Sequence, residues 1–143
     1  MITVREVMTS QPAAVTLLDN VYEVAVKMRD YDTGFIPVVD SEAGGKLIGV
    51  ITDRDLVLRG YAEKHPGSSS VETVMSSKVV SIEESATVDE AAERMASEQI
   101  RRLPVTRGGK LIGVVSLGDL AVKRIFADEA GEALSEISQR PLH

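Results

Sequence analysis

The sequence predicts an α/β (α+β) fold of two tandem β-α-β-β-α repeats packed with pseudo-twofold symmetry. Three observations carry this: the chain repeats itself, each copy shows the same order of strand-like and helix-like segments, and a polar linker separates them. Shifted by 67 positions, Val4 meets Val71, Val7-Met8 meets Val74-Met75, and Pro37-Val38 meets Pro104-Val105. After Asp40 the offset becomes 64, and the seven residues Gly44-Gly45-Lys46-Leu47-Ile48-Gly49-Val50 match Gly108-Gly109-Lys110-Leu111-Ile112-Gly113-Val114 residue for residue. Such a run, with matched spacing elsewhere, defines a tandem repeat of roughly 55 residues per copy.

Taken in order, each copy opens with a short strand near Ala13–Thr16, or Val79–Ile82 in the second copy. A helix follows. Its start has capping-box spacing, Asn20 with Glu23 and Thr87 with Glu90, a polar cap with a glutamate three residues on. Val21, Val24, Ala25 and Met28, and then Val88, Ala91, Ala92 and Met95, form a helical apolar stripe. Two strand-like runs come next, Phe35–Asp40 with Lys46–Thr52, and Leu103–Thr106 with Lys110–Ser116. The second pair is joined across Gly108-Gly109, a hairpin signal. A second helix starts at Thr52 or Asp53 and stops near Gly60; its counterpart runs from about Leu117 to Ala127.

This divides the chain into a first repeat at 1–62, a linker at 63–70, a second repeat at 71–127 and a tail at 128–143. The linker is marked by Pro66, Gly67 and three serines. In the tail, Ala130, Leu134 and Ile137 share one face of a short helix. A unit of this size buries too little surface to be comfortably stable alone. Packing the two sheets together about a pseudo-twofold axis solves this and creates two equivalent clefts, one at each strand-to-helix junction.

Composition narrows the chemistry. The chain has 143 residues, no cysteine and two histidines, His65 in the linker and His143 at the terminus. Thiolate zinc sites, disulfides and cysteine nucleophiles are excluded, and histidine-based catalysis or metal ligation is poorly served. The formal charge is −6, spread evenly, and the aromatic set is Tyr22, Tyr31, Tyr61, Phe35 and Phe126. Nucleic-acid and membrane partners are therefore not expected. No apolar run approaches a membrane span and no signal peptide is visible, so the expected location is cytoplasmic.

The residues that could carry chemistry stand at the junctions. Thr52 and Asp55 in the first copy, and Ser116 and Asp119 in the second, are a hydroxyl, two spacers and an acid. That spacing is itself a helix cap. The same groups can also bind a ligand, because a hydroxyl can donate to phosphate and one carboxylate can accept from both hydroxyls of a ribose. Gly44-Gly45-Lys46 and Gly108-Gly109-Lys110 are followed by leucine and lack the wider glycine spacing of a P-loop. Asp53 and Asp55 are i and i+2 on a helix and point apart, so they make a poor acid/base pair.

The ordered set given twice, Pro37-Val38-Val39-Asp40 with Leu47 to Leu56 and the run ending Gly113-Val114-Val115-Ser116-Leu117-Gly118-Asp119-Leu120, resembles a pair of cystathionine-β-synthase (CBS) domains. The resemblance covers about residues 3 to 125 and extends to small stand-alone CBS-pair proteins of bacteria. It implies a non-enzymatic regulatory module with no obligatory cofactor. Its ligand would be adenosine-containing: AMP, ADP, ATP, an NAD-type dinucleotide or S-adenosylmethionine. It further implies a homodimer and a protein target in trans. By position, Asp55 and Asp119 would hold the ribose, and Thr52 and Ser116 the phosphate. Ala14, Ile36 and Pro37, and Val80, Leu103 and Pro104, would flank the base.

The copies also differ. Arg101-Arg102 precede Leu103-Pro104 where Gly34-Phe35 precede Ile36-Pro37, which adds two phosphate candidates to one site. Arg54 and Lys123 are further basic candidates, and Leu117-Gly118 replaces Asp53-Arg54 in the second copy. Unequal occupancy of the two clefts is expected. The alternative is a ligand-independent interaction module in which both Thr/Ser-x-x-Asp sites are caps only.

Overall fold

A computed structural model describes residues 1–41 and 45–127. The expected tail helix and the Gly44 end of the first glycine loop lie outside the described residues, as does the side chain of Lys123. The chain forms α1 (Val4–Val7), β1 (Thr9–Ser10), β2 (Val15–Thr16), α2 (Val21–Asp30), β3 (Phe35–Val39) and β4 (Leu47–Thr52). A short α3 (Asp53–Asp55) then runs into a π-helix at Leu56–Tyr61. The second half contains a 3-10 turn at Val71–Thr73, β5 (Ile82–Glu83), α4 (Val88–Glu98), β6 (Arg102–Arg107), β7 (Lys110–Ser116) and α5 (Leu117–Ala127).

Each repeat builds the same sheet. β2 pairs parallel with β3, and β5 with β6, across the intervening helix; β3–β4 and β6–β7 are antiparallel. Even the register shifts are equivalent, at Val38/Val39 and Val105/Thr106. The second hairpin turns on Gly108 (φ +58°) and Gly109 (φ +84°), the left-handed pair a tight two-residue turn demands. On the axis, Lys46 bridges its own counterpart Lys110. There the Leu47 N–H donates to Gly109 O and the Leu111 N–H to Gly45 O.

The core is not one layer between two sheets. Each repeat has its own buried cluster, completed by a segment from before the other repeat. Val4, fully buried, joins Ile82, Val88, Met95, Leu103 and Val115 of the second repeat. Val71 and Val74 join Val24, Ile36, Val38 and Ile51 of the first. Backbone contacts follow the same exchange. β1 pairs antiparallel with β7, Thr9 opposite Val114, while Ser76 bridges Val50. The Val4 N–H donates to Ala86 O at 2.8 Å, and the Val21 N–H to Ser69 O at 2.9 Å. Gly113 permits the β1 crossing: a Cβ there would stand 2.5 Å from Met8 Sδ and 2.9 Å from Thr9 O.

Several elements differ from expectation. The first strands of each repeat are two residues long, Val15–Thr16 and Ile82–Glu83, rather than four. The helix expected to stop near Gly60 is α-helical for one turn only and then widens into the π-helix. Asn20 makes the full reciprocal capping box with Glu23, whereas Thr87 makes only the hydroxyl half, to the Glu90 N–H. Ala25 is exposed, at the edge of a stripe whose buried members are Val24 and Met28.

One ion-pair cluster fastens the exchanged segment. Glu84, with 15% of its side chain exposed, faces Arg5 of α1 at 3.6 Å and accepts hydrogen bonds from Arg107. The Arg107 guanidinium holds the Glu84 carboxyl below its ordinary value. A depressed carboxylate stabilises the fold fully above its unfolded value of about pH 4.3 and loses that contribution as pH falls through the folded value. Glu84→Gln is therefore expected to lower Tm near neutral pH, with the gap to the parent closing below about pH 4.3. Thermal scans from pH 7 down to pH 3 check this; a gap constant with pH would refute it.

Candidate functional site

The turn from β4 into α3 and the turn from β7 into α5 are built alike. Thr52 Oγ1 accepts from the Asp55 N–H at 3.2 Å, and Asp55 Oδ2 accepts from the Thr52 N–H at 2.9 Å. Ser116 Oγ accepts from the Asp119 N–H at 3.1 Å, and Asp119 Oδ2 from the Ser116 N–H at 3.0 Å. Both are complete reciprocal caps. Each cap leaves chemistry unused, because neither hydroxyl hydrogen is donated to an acceptor among the described residues. Asp55 Oδ1 lies 3.9 Å from Arg59 Nε, and Arg59 also donates to Met75 O.

A cavity opens at each junction, and each takes one wall from either repeat. The first, about 570 Å³, sets Thr52 and Asp55 against Lys78, Val80, Arg101 and Pro104. The second, about 390 Å³, sets Ser116 and Asp119 against Gln11, Ala13, Asp32 and Thr33. The walls are equivalent by the repeat offsets: Lys78 with Gln11, Val80 with Ala13, Gln99 with Asp32, Ile100 with Thr33. Gln99 and Asp32 share a left-handed backbone, φ +56° and φ +50°. Phe35 and Arg102, themselves equivalent, line both cavities.

The clefts differ in charge. Arg54, Lys78, Arg101 and Arg102 line the first, against Asp53 and Asp55. Among the described residues, Arg102 is the one basic side chain that lines the second, against Asp32 and Asp119. Arginines elsewhere are engaged: Arg5 and Arg107 with Glu84, Arg29 with Asp30, Arg59 with Asp55, Arg94 with Ser81 O. Among the described side chains, Arg54, Arg101 and Arg102 are the arginines without a hydrogen bond or ion pair, and all three face the first cleft.

The structure brings together Thr52, Asp55, Val80, Arg101, Arg102 and Pro104 at one cleft, and Ser116 with Asp119 at the other. It places the other base-flanking candidates elsewhere. Ile36 and Leu103 are fully buried in the two cores because strand alternation turns them inward. Pro37 is buried in β3 and lines neither cavity, and the Ala14 carbonyl accepts from Lys27. Ala13, one residue earlier, is the true counterpart of Val80. Lys78, Gln99, Asp32 and Phe35 were not singled out from sequence, although the 67-residue offset relates them pairwise to Gln11 and Arg102 and to one another. Among the described residues no cluster of three or more His, Cys, Asp or Glu could hold a metal, and no helix is long and apolar enough to cross a membrane.

Two interlocked α/β repeats with a cleft at each strand-to-helix junction define a tandem-repeat module. The chain belongs to the CBS domain family, whose model matches residues 4–60 and 71–124. It is 52% identical over 139 residues to protein YlbB of Bacillus subtilis (strain 168), covering 97% of this chain and 93% of that protein. It is 40% identical to the CBS domain-containing protein YhcV of the same organism, over the full length of both. Among solved structures, the CBS domain pair of protein MJ0100, in complex with 5′-methylthioadenosine and S-adenosyl-L-methionine, superimposes with a TM-score of 0.74 at 25% identity. That match covers 89% of this chain and 97% of the other.

Proposed function

We propose that this chain is a non-catalytic sensor that binds an adenosine-containing ligand in the clefts between its repeats and signals to a protein target in trans. Three unpartnered arginines converging on the cleft that holds Thr52 and Asp55 carry this reading. The two adenosyl compounds bound by the MJ0100 pair support it. In this reading Asp55 and Asp119 accept from ribose hydroxyls, while Thr52, Ser116, Arg101 and Arg102 donate to phosphate. The base rests near Val80 and Pro104 in the first cleft, on aliphatic rather than aromatic surface. The module works in the cytoplasm and needs no resident cofactor.

A thermal-shift panel of AMP, ADP, ATP, NAD and S-adenosylmethionine tests it. A ligand at one hundred times its Kd is expected to add about 2.7 kcal/mol. No shift with any of the five at millimolar concentration would sink the sensor reading and leave a module whose Thr/Ser-x-x-Asp sites are caps only.

The working unit in this reading is a homodimer. Val57, Leu58 and Tyr61 on the π-helix, and Leu117 and Val122 on α5, are exposed. Leu58 and Val122 are equivalent by the 64-residue offset, so a second copy can cover both faces in the same way. Light scattering is expected to report twice the 15.4 kDa chain mass. A 15.4 kDa particle at micromolar concentration would remove the dimer.

A further inference from the structure

The pseudo-twofold axis makes the two clefts alike in shape, and the side chains make them unlike in charge. Among the described residues, four basic and two acidic groups face the first, and one basic and two acidic groups face the second. The basic group of the second cleft among those residues is Arg102, which also lines the first. Its counterpart Phe35 occupies the equivalent place in the shared wall and carries no charge. At the position where the first cleft has the neutral Gln99, the second has Asp32; where the first has Lys78, the second has Gln11.

We propose that the clefts take adenosyl compounds of different charge: the first a phosphorylated one, the second an uncharged or cationic one, with Arg102 setting the difference. The argument rests on the adenosyl-binding reading above and deepens it. A phosphate in the first cleft meets Arg54, Lys78, Arg101 and Arg102, all free of competing carboxylates except Asp53 and Asp55 at the rim. It also finds the Thr52 hydroxyl, which accepts from the Asp55 N–H and whose hydrogen is undonated. Engagement of Arg102 by that phosphate withdraws the one cation that lines the second cleft among the described residues. What remains there is Asp32 and Asp119, which repel a second phosphate and suit a neutral nucleoside or a positively charged adenosyl group. One guanidinium cannot neutralise two phosphorylated ligands in adjacent clefts.

Isothermal titration on the full chain tests this with AMP and adenosine as probes. AMP is expected to bind once per chain, and about 10- to 100-fold more weakly in Asp55→Asn. Adenosine is expected to bind the AMP-saturated protein once more, and to be lost there in Asp119→Asn. Arg102→Gln is expected to weaken AMP at least tenfold. Asp32→Lys, which supplies the missing cation, is expected to raise the AMP stoichiometry from one to two. Two equivalent AMP sites within threefold of each other would overturn the proposal and leave the adenosyl-binding reading intact. So would AMP uptake that disappears with Asp119→Asn, or AMP-saturated protein that takes up no adenosine. Absence of binding by every adenosyl compound removes the parent reading, and this one with it.

Discussion

Val4→Asp is expected to destabilise the protein by more than about 4 kcal/mol, since it places a carboxylate in an apolar site with no partner. Val4 is fully exposed to the second repeat's core and closed to solvent, packed among Ile82, Val88 and Met95. Val4→Ala removes only methyl groups and is expected to cost about 2 kcal/mol. Urea unfolding followed by far-UV circular dichroism separates the two. Asp at this position within 1 kcal/mol of the parent would mean that α1 does not dock on the second repeat. The effect is also expected to cross between repeats. All three tyrosines, Tyr22, Tyr31 and Tyr61, lie in the first repeat, so tyrosine emission reports that half alone. It is expected to move to the same lower urea midpoint, because Val71 and Val74 fix the halves together reciprocally.

Asp55→Asn is expected to weaken an adenosine-containing ligand by 10- to 100-fold, the loss of a hydrogen bond to a charged acceptor, roughly 1.5–3 kcal/mol. The amide oxygen still accepts from the Thr52 N–H, so the cap survives and Tm is expected to change little. Asp55→Ala loses the same affinity and, in addition, about 1 kcal/mol of stability with the cap. Paired calorimetry and thermal denaturation tell the roles apart. Full affinity in Asp55→Asn, with destabilisation in Asp55→Ala, would assign the carboxylate to the helix start alone.

Much of this was legible in the residues because repetition doubles every signal. The capping pattern of Thr52 and Asp55 is ambiguous once, yet its recurrence at Ser116 and Asp119 placed both junctions correctly. The stripe Val88, Ala91, Ala92 and Met95 located α4, and Gly108-Gly109 located the second hairpin. What sequence could not supply is which copy a segment joins. The match of Val4 with Val71 shows equivalence, and equivalence is the same whether each valine fills its own repeat's core or its neighbour's. Only the chain path decides, and it crosses. The π-helix has no marker in the residues: Leu56–Tyr61 contains no proline and reads as an ordinary helical continuation. At the clefts, Ala13 rather than Ala14 lines the cavity, just before β2 begins at Val15.

The crossing has a consequence for how such a chain could arise. A solitary ancestral half would present a valine-bearing arm with no core of its own to fill. Two copies embracing arm-for-core would satisfy both, as a pair held only by mass action. Duplication into one chain puts each arm at a fixed, high local concentration beside its receptor, on the order of millimolar for a short tether. Dilution then no longer separates the halves. The embrace also frees each half to diverge at its cleft without losing its mate, as Arg102 opposite Phe35 records.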